Sequence, residues 1–153
     1  MPDAAHRPRI AVLGAGAWGT ALAVQAARAG HAATLWGRDA ARVAEIAQAR
    51  ENARYLPGVK LSAAITPTDD LGAAARGAVL LLAAVPAQHL RAVLERLPPD
   101  AAAPIVVCAK GVEQGTLRLP LEVVGEVRPG GAGAVLWGPS LGQEIARGVP
   151  AAA

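Results

Sequence analysis

The 153-residue chain contains no phenylalanine, one tyrosine, one cysteine and one methionine. A lone cysteine cannot form a disulfide within the chain, which excludes a disulfide-stabilised scaffold. Cys108 lies in the apolar run 105–109, where a buried strand thiol is favoured over a nucleophile or a metal ligand. The three histidines, His6, His31 and His89, are not spaced to bind a metal. Because hydrophobic residues still make up 53% of the chain, its core must consist of closely packed alanine, valine and leucine side chains.

Long apolar runs and runs of one charge are also missing. No stretch reaches the roughly 18 apolar residues of a transmembrane helix, and residues 1–9 lack the apolar segment of a signal peptide. We therefore expect a cytoplasmic protein that does not bind membranes. The 15 basic and 12 acidic residues, which give a formal charge of +3, are mixed along the chain. No basic run favours nucleic acid, whereas a modest positive charge suits an anionic small molecule.

Apolar runs of strand length alternate along the chain with segments that favour helices. Strands are predicted at 9–13, 31–36, 63–66, 79–85, 105–109 and 134–137. Helices are predicted at 17–29, 40–50, 86–97 and 121–127, with a brief helix capped by Asp69 or Asp70 and ending at 75, and a turn at 138–144 that opens a last helix. The alternation predicts an α/β fold, a Rossmann-like, doubly wound and mainly parallel sheet with helices on both faces. We expect this domain to span residues 9–153, after a flexible leader at residues 1–8.

The first predicted strand ends in the turn Gly14-Ala15-Gly16-Ala17-Trp18-Gly19, which opens the first helix. In a G-x-G-x-x-G turn the first glycine permits a tight turn and the second lets a pyrophosphate approach the backbone. The third lets the helix pack closely on the strand. Free N–H groups at the helix N-terminus also favour phosphates. Gly14, Gly16 and Gly19 thus predict a dinucleotide site, and an ordinary glycine-rich turn is the alternative.

The end of the second strand bears on which dinucleotide is bound. NAD sites place an acidic residue there for the ribose 2′-hydroxyl, whereas this chain has Trp36-Gly37-Arg38-Asp39. Arg38 offers a guanidinium to a 2′-phosphate, which favours NADP over NAD. Asp39 is better explained as the cap of the next helix. A surface cation without a ligand is the alternative for Arg38.

Two polar segments follow later strands, at the sheet edge where ligands bind in open α/β folds. Lys110 follows the strand at 105–109, and Gly138-Pro139-Ser140 follows the last predicted strand. A lysine in that place can bind a phosphate, and a serine can donate a hydrogen bond to a ligand. Taken singly, each is equally compatible with a surface lysine or a plain Gly-Pro turn. Neither a Ser-His-Asp set nor an H-E-x-x-H motif is present.

Together these motifs resemble the bacterial-type NAD(P)-dependent glycerol-3-phosphate dehydrogenases. Six segments follow the family's order and cover nearly all of the chain: 14–22, 35–38, 52–58, 85–88, 110–113 and 138–140. The resemblance implies reversible hydride transfer between dihydroxyacetone phosphate and sn-glycerol 3-phosphate, a reaction that feeds phospholipid synthesis. It also implies NADP or NAD as the cofactor.

The resemblance implies roles for single residues as well. Besides the three glycines, the residues expected at the nicotinamide dinucleotide are Ala17, Trp18, Arg38, Tyr55, Lys110 and Gly142. Those expected at the glycerol phosphate are Lys110, Gly138 and Ser140. Two departures are visible in the sequence. Ala17 stands where the family usually has serine, which removes one hydroxyl contact, and Leu141-Gly142 stands where it often has Phe-Ala.

Members of the family continue into a helical second domain. That domain supplies the lysine thought to act as general base, which takes the proton of the C2 hydroxyl as hydride leaves. We therefore expect the catalytic residues to lie beyond residue 153 and these residues alone to be a nearly inactive cofactor-binding fragment. Faces that the second domain would cover suggest a homo-oligomer as a further hypothesis.

Two other functions remain open. The chain could be a non-catalytic NADP-binding module or a redox sensor. It could also belong to a reductase related to the β-hydroxyacid dehydrogenases, whose N-terminal halves share the glycine turn. The loop 52–58 and the run 110–113 count against the second alternative.

Overall fold

The computed structural model describes residues 7–138 and 142–150. Its strands are β1 (Arg9–Leu13), β2 (Ala32–Trp36), β3 (Ile65–Thr68), β4 (Leu80–Ala83), β5 (Ile105–Val107) and β6 (Gly133–Val135). Its helices are α1 (Ala17–Arg28), α2 (Ala40–Ala49), α3 (Leu71–Ala75), α4 (Ala87–Glu95), α5 (Pro120–Val127) and α6 (Gly142–Arg147). All strand pairs are parallel, in the order β3-β2-β1-β4-β5-β6. The predicted doubly wound Rossmann-like fold is confirmed, with β1 and β4 meeting where the winding reverses.

Apolar side chains cover both faces of the sheet. Successive residues of a strand point to opposite faces, so Leu13 and Leu81 pack under α3, α4 and α5, whereas Val12 and Leu82 pack under α1 and α2. Many other members of both clusters are alanine or valine, as the composition predicts. None of the helices in the described part of the chain has the length and apolar character to cross a membrane.

Side chains and glycines bound the helices as the sequence indicates. Asp39 Oδ1 accepts the N–H of Arg42 at 3.1 Å, which confirms the predicted cap of α2. Asp70 rather than Asp69 caps α3, because Asp70 Oδ1 accepts the N–H of Ala73 at 2.9 Å. Gly30, which follows α1 with a φ of +89°, ends that helix in the left-handed conformation.

Strand β3 lies two residues later than the predicted segment 63–66. Its position is set by pairing with β2, in which Ala33 faces Ile65 and Trp36 faces Thr68. Pro67 is tolerated inside the strand because β3 forms an edge of the sheet, where a missing N–H costs no ladder hydrogen bond.

Helix α1 lies very close to the end of β1. A Cβ added to Gly19, in the first turn of α1, would stand 1.8 Å from the carbonyl oxygen of Gly14. That distance is far below any van der Waals contact, so the helix can take this position only without a side chain at residue 19.

We predict that Gly19→Ala destabilises the fold by about 3 kcal/mol or more, because helix and turn must separate. Gly125→Ala is the matched control, since Gly125 also lies inside a helix but its added Cβ would meet no atom within 4 Å. The control should gain about 0.5–1 kcal/mol from the better helix former. Urea unfolding followed by circular dichroism measures both. A Gly19→Ala variant as stable as the parent chain would contradict the packing described here.

Candidate functional site

A cleft of about 890 Å³ opens at the carboxyl edge of the sheet, beside the point where β1 and β4 meet. Its walls come from the segments that follow five strands: 14–18 after β1, 36–39 at and after β2, 84–86 after β4, 108–110 after β5, and residues 136 and 138 after β6. Parallel strands end at one edge, so residues distant in sequence converge there. The volume lies in the range of small-molecule sites.

The three glycines of the turn have three different environments. Gly14 has a φ of +120°, and an added Cβ would lie 2.7 Å from the carbonyl oxygen of Ala84. Gly16 lines the cleft, and its Cβ would meet no atom within 4 Å. Gly19 is buried against Gly14. This geometry is consistent with a tight turn, an open approach for a ligand and close helix packing, in that order along the motif.

The N-terminus of α1 points a set of N–H groups toward this open space. Helix α1 begins at Ala17, its first residues line the cleft, and no side chain among the described residues caps its N-terminus. Unpaired N–H groups and the helix dipole both favour an anion at such a point. The space that a Cβ of Gly16 would fill therefore fits a phosphate group.

Arginines line another wall of the cleft. Arg38 is exposed there, as the sequence predicts, and Arg42, Arg54 and Arg96 join it. Tyr55 contacts two of them, with the guanidinium carbons of Arg42 and Arg54 each 5.4 Å from its ring centroid. Such cation–π contacts hold both the ring and the cations in place. This part of the cleft is suited to an anionic, flat ligand.

Sequence reasoning missed three of these arginines. Arg42 lies in the first turn of α2 and pairs with the cap residue Asp39, so its place next to the Arg38 segment could have been inferred from the predicted cap. Arg54 directly precedes Tyr55 in the loop. No local sequence pattern indicates Arg96 as a cleft residue, because only the tertiary fold places its guanidinium carbon 5.9 Å from the ring centroid of Trp36.

Lys110 and Gly138 meet at another wall. Lys110 Nζ lies 3.5 Å from the carbonyl oxygen of Gly138, and both residues line the cleft. Ser140 lies outside the described residues. Gly142 does not line the cleft, because it packs behind the turn, where its added Cβ would stand 3.1 Å from the carbonyl oxygen of Ala17.

Cys108 also lines the cleft, yet only 7% of it is exposed. Burial raises the pKa of its thiol to about 11, and a hydrogen bond with the Trp18 side chain offsets only part of that rise. The thiol therefore stays protonated near neutral pH, which fits a buried thiol better than a nucleophile. Cys108 lies just after β5 rather than inside it, because the strand ends at Val107. Among the residues that the structure describes, no three His, Cys, Asp or Glu side chains cluster as metal ligands.

The loop that begins at Lys110 is tied to helices α4 and α5 through Arg91. The guanidinium donates to both carboxylate oxygens of Glu113, at 2.8 and 2.9 Å, and to Glu126 at 2.7 Å. The Gln88 side chain adds hydrogen bonds to Val112 and Gln114. Because the hydrogen bonds from Arg91 and from the Thr116 hydroxyl favour the ionised carboxylate, the pKa of Glu113 falls to about 2. The backbone that follows Lys110 is thereby fixed to the core.

Glu113→Gln should lower the free energy of unfolding in a pH-dependent way. The folded pKa of Glu113 lies below the value of about 4.3 for an unfolded chain, so the ion pair stabilises fully above that value. Its contribution is lost as pH falls toward 2. The difference between parent and variant, measured by urea unfolding, should be largest near pH 7 and shrink steadily below pH 4.5. Glu95→Gln, which removes an exposed carboxylate from α4, is the charge-matched control. A difference that stays constant from pH 7 to pH 2 would contradict the ion-pair account.

The fold and the glycine turn together define a dinucleotide-binding Rossmann domain. A family model described as the N-terminus of NAD-dependent glycerol-3-phosphate dehydrogenase matches residues 9–153. The chain therefore belongs to the family of NAD-dependent glycerol-3-phosphate dehydrogenases and corresponds to their N-terminal region.

Individual relatives agree with this assignment. The glycerol-3-phosphate dehydrogenase [NAD(P)+] of Azorhizobium caulinodans is 56% identical over 147 residues, and that of Chelativorans sp. is 52% identical over 145. Each match covers 94% of this chain and 44% of the relative. The crystal structure of glycerol-3-phosphate dehydrogenase from Coxiella burnetii superimposes with a TM-score of 0.85 at 34% identity, covering 92% of this chain and 44% of that protein. The chain thus spans less than half the length of these relatives.

Proposed function

We propose that this chain binds NADP(H) or NAD(H) in the cleft, as the cofactor-binding half of a glycerol-3-phosphate dehydrogenase. The observation that carries the proposal is the Gly16 site, an open cradle at the N-terminus of α1 that faces a cleft lined by arginines and Lys110. The pyrophosphate of a dinucleotide would lie in this cradle, and its two nucleoside ends would contact the other walls of the cleft. The family match over residues 9–153 supports the same reading.

Each wall of the cleft would hold a different part of the ligand. The backbone N–H groups of the 14–18 turn would bind the pyrophosphate. Arg38 would bind a ribose 2′-phosphate, and Tyr55, which contacts Arg42 and Arg54, would offer its ring to a flat group. Lys110, beside Gly138, would neutralise the phosphate of the substrate. When bound, the nicotinamide supplies the hydride chemistry.

We predict that NADPH binds more tightly than NADH and that Arg38 carries the difference. Arg38→Gln should weaken NADPH binding by about tenfold or more, because a charged hydrogen bond to the 2′-phosphate is lost, while NADH binding changes little. Arg76→Gln removes the same charge outside the cleft and serves as the control. Fluorescence titration of the parent chain and both variants with each cofactor gives the six dissociation constants. Equal losses for NADPH and NADH in Arg38→Gln would refute the 2′-phosphate contact.

The expected reaction interconverts dihydroxyacetone phosphate and sn-glycerol 3-phosphate. We propose that a general base outside these 153 residues is required, as the resemblance implies, so that they bind cofactor but turn over slowly. The measurement is NADPH oxidation with dihydroxyacetone phosphate, followed at 340 nm. Turnover at background level is expected, alongside saturable NADPH binding. Robust turnover would instead place a competent base within the chain.

We further propose a leader before residue 9, a domain over 9–153, a cytoplasmic location, no nucleic-acid or membrane partner, and a homo-oligomer.

The alternative function, a non-catalytic NADP-binding module or redox sensor, differs from our proposal in one experimental outcome. It would bind NADPH, yet stay inactive when joined to the C-terminal region of a relative.

A further inference from the structure

Asn52 connects the loop 52–58 to the glycine turn from behind. The residue is 1% exposed and does not line the cleft. Its Nδ2 group donates to the carbonyl oxygen of Ala15 at 2.9 Å and to Thr20 Oγ1 at 2.8 Å. Thr20, itself fully buried, donates a hydrogen bond from its hydroxyl group to the carbonyl oxygen of Gly16 at 2.7 Å. The Gly16 carbonyl also accepts the backbone N–H of Thr20 at 3.0 Å. The buried pair of side chains thus holds the Ala15 carbonyl and adds a second hydrogen bond at the Gly16 carbonyl.

These bonds also determine where two N–H groups point. In a trans peptide the C=O and the N–H of the same unit point in opposite directions, and no cis peptide occurs in the described residues. The Ala15 carbonyl shares its peptide with the N–H of Gly16, and the Gly16 carbonyl shares its peptide with the N–H of Ala17. Because both carbonyls are held toward the interior, both N–H groups face away from it, on the side of the cleft.

The other polar atoms of Asn52, its Oδ1 and its backbone carbonyl, are better explained by a positioning role than by core packing alone. Its Oδ1 is buried and accepts no hydrogen bond from the described residues, which is unfavourable for any polar atom. An aliphatic side chain would avoid that cost, so the amide is explained by what its Nδ2 group holds. The Asn52 carbonyl also accepts the N–H groups of Leu56 at 2.8 Å and Tyr55 at 3.2 Å. These backbone bonds fix the start of the loop that carries Tyr55, and the side chain of the same residue connects it to the glycine turn.

We propose that Asn52 and Thr20 are positioning residues for dinucleotide binding, which preset the N–H groups of Gly16 and Ala17 toward a pyrophosphate. The inference rests on the proposed function, since it assumes a dinucleotide in the cleft. Without this bridge the Ala15–Gly16 peptide loses its side-chain hydrogen bond, and the Gly16–Ala17 peptide keeps only its bond to the Thr20 N–H. Binding must then supply the cost of ordering the turn. Affinity for ligands that contain a pyrophosphate should fall, and affinity for ligands without one should not.

The test uses the 153-residue chain and a matched pair of substitutions at one position. Thr20→Val keeps the shape of the side chain but removes the hydroxyl, whereas Thr20→Ser keeps the hydroxyl. Asn52→Ala removes the bridge from the other side. Thr34→Val is the control, because Thr34 is a buried threonine in β2 that does not line the cleft. Titrations with NADPH and ADP-ribose, which contain a pyrophosphate, are compared with adenosine 2′-monophosphate, which contains none.

We expect Thr20→Val and Asn52→Ala to weaken NADPH and ADP-ribose binding by about tenfold or more, while adenosine 2′-monophosphate binding stays within about twofold. Thr20→Ser should stay near the parent, and the double variant should lose less than the product of the single losses, since both residues act through one bridge.

Equal losses for all three ligands would mean a structural role only, and unchanged NADPH binding in Thr20→Val would overturn the inference. A parent chain that binds no dinucleotide would instead overturn the proposed function. If Asn52→Ala fails to fold, the comparison of Thr20→Val with Thr20→Ser still tests the inference.

Discussion

The contact between α1 and the end of β1 is the constraint on which the rest of the site depends. Gly19 brings the helix so close to Gly14 that a methyl group would stand 1.8 Å from the Gly14 carbonyl oxygen. This approach places the N-terminus of α1 directly beside the strand end, at the point where the sheet reverses its winding. The open space at Gly16 and the N–H groups above it follow from that placement. Neither could exist in this position if residue 19 carried a side chain.

The charged side chains that line the cleft are mostly basic. Arg38, Arg42, Arg54 and Arg96 line the cleft together with Lys110, whereas Asp39 is the one acidic residue among its described lining residues. Asp39 also pairs with Arg42, with 3.8 Å between Oδ2 and Nε, so the net field of the cleft remains positive. A modest formal charge of +3 for the whole chain is thus concentrated where an anionic ligand would lie. A dinucleotide and a phosphorylated three-carbon substrate share that chemistry.

Local signals in the sequence were sufficient for the fold class and for the glycine turn. Strand-length apolar runs, the cap at Asp39 and the stop at Gly30 are short-range features, and each reappears in the structure. For α3 the sequence offered Asp69 or Asp70 as the cap, and the structure has Asp70. Strand ends were less predictable: β3 is shifted because its register depends on β2, and β5 ends at Val107 rather than 109. Pairing between strands decides such limits, and no single segment encodes them.

The site was predictable only in part for the same reason. Residues in motifs at strand ends, such as Gly16, Arg38 and Lys110, converge because parallel strands share an edge. Arg96 and Asn52 act through contacts with residues distant in sequence, Trp36 in one case and the 15–20 segment in the other. Gly19 packs against the Gly14 carbonyl group, as its place in the motif predicts, and Gly142 packs against Ala17.

The central claim is that a pyrophosphate binds at the N–H groups of the glycine turn. Amide NMR of the 15N-labelled chain, titrated with NADPH, tests it most directly. The account predicts the largest shifts at the amides of Gly16, Ala17 and Trp18, with further changes near Arg38 and Lys110. Saturable binding that shifts other amides and leaves those of the turn unchanged would contradict it.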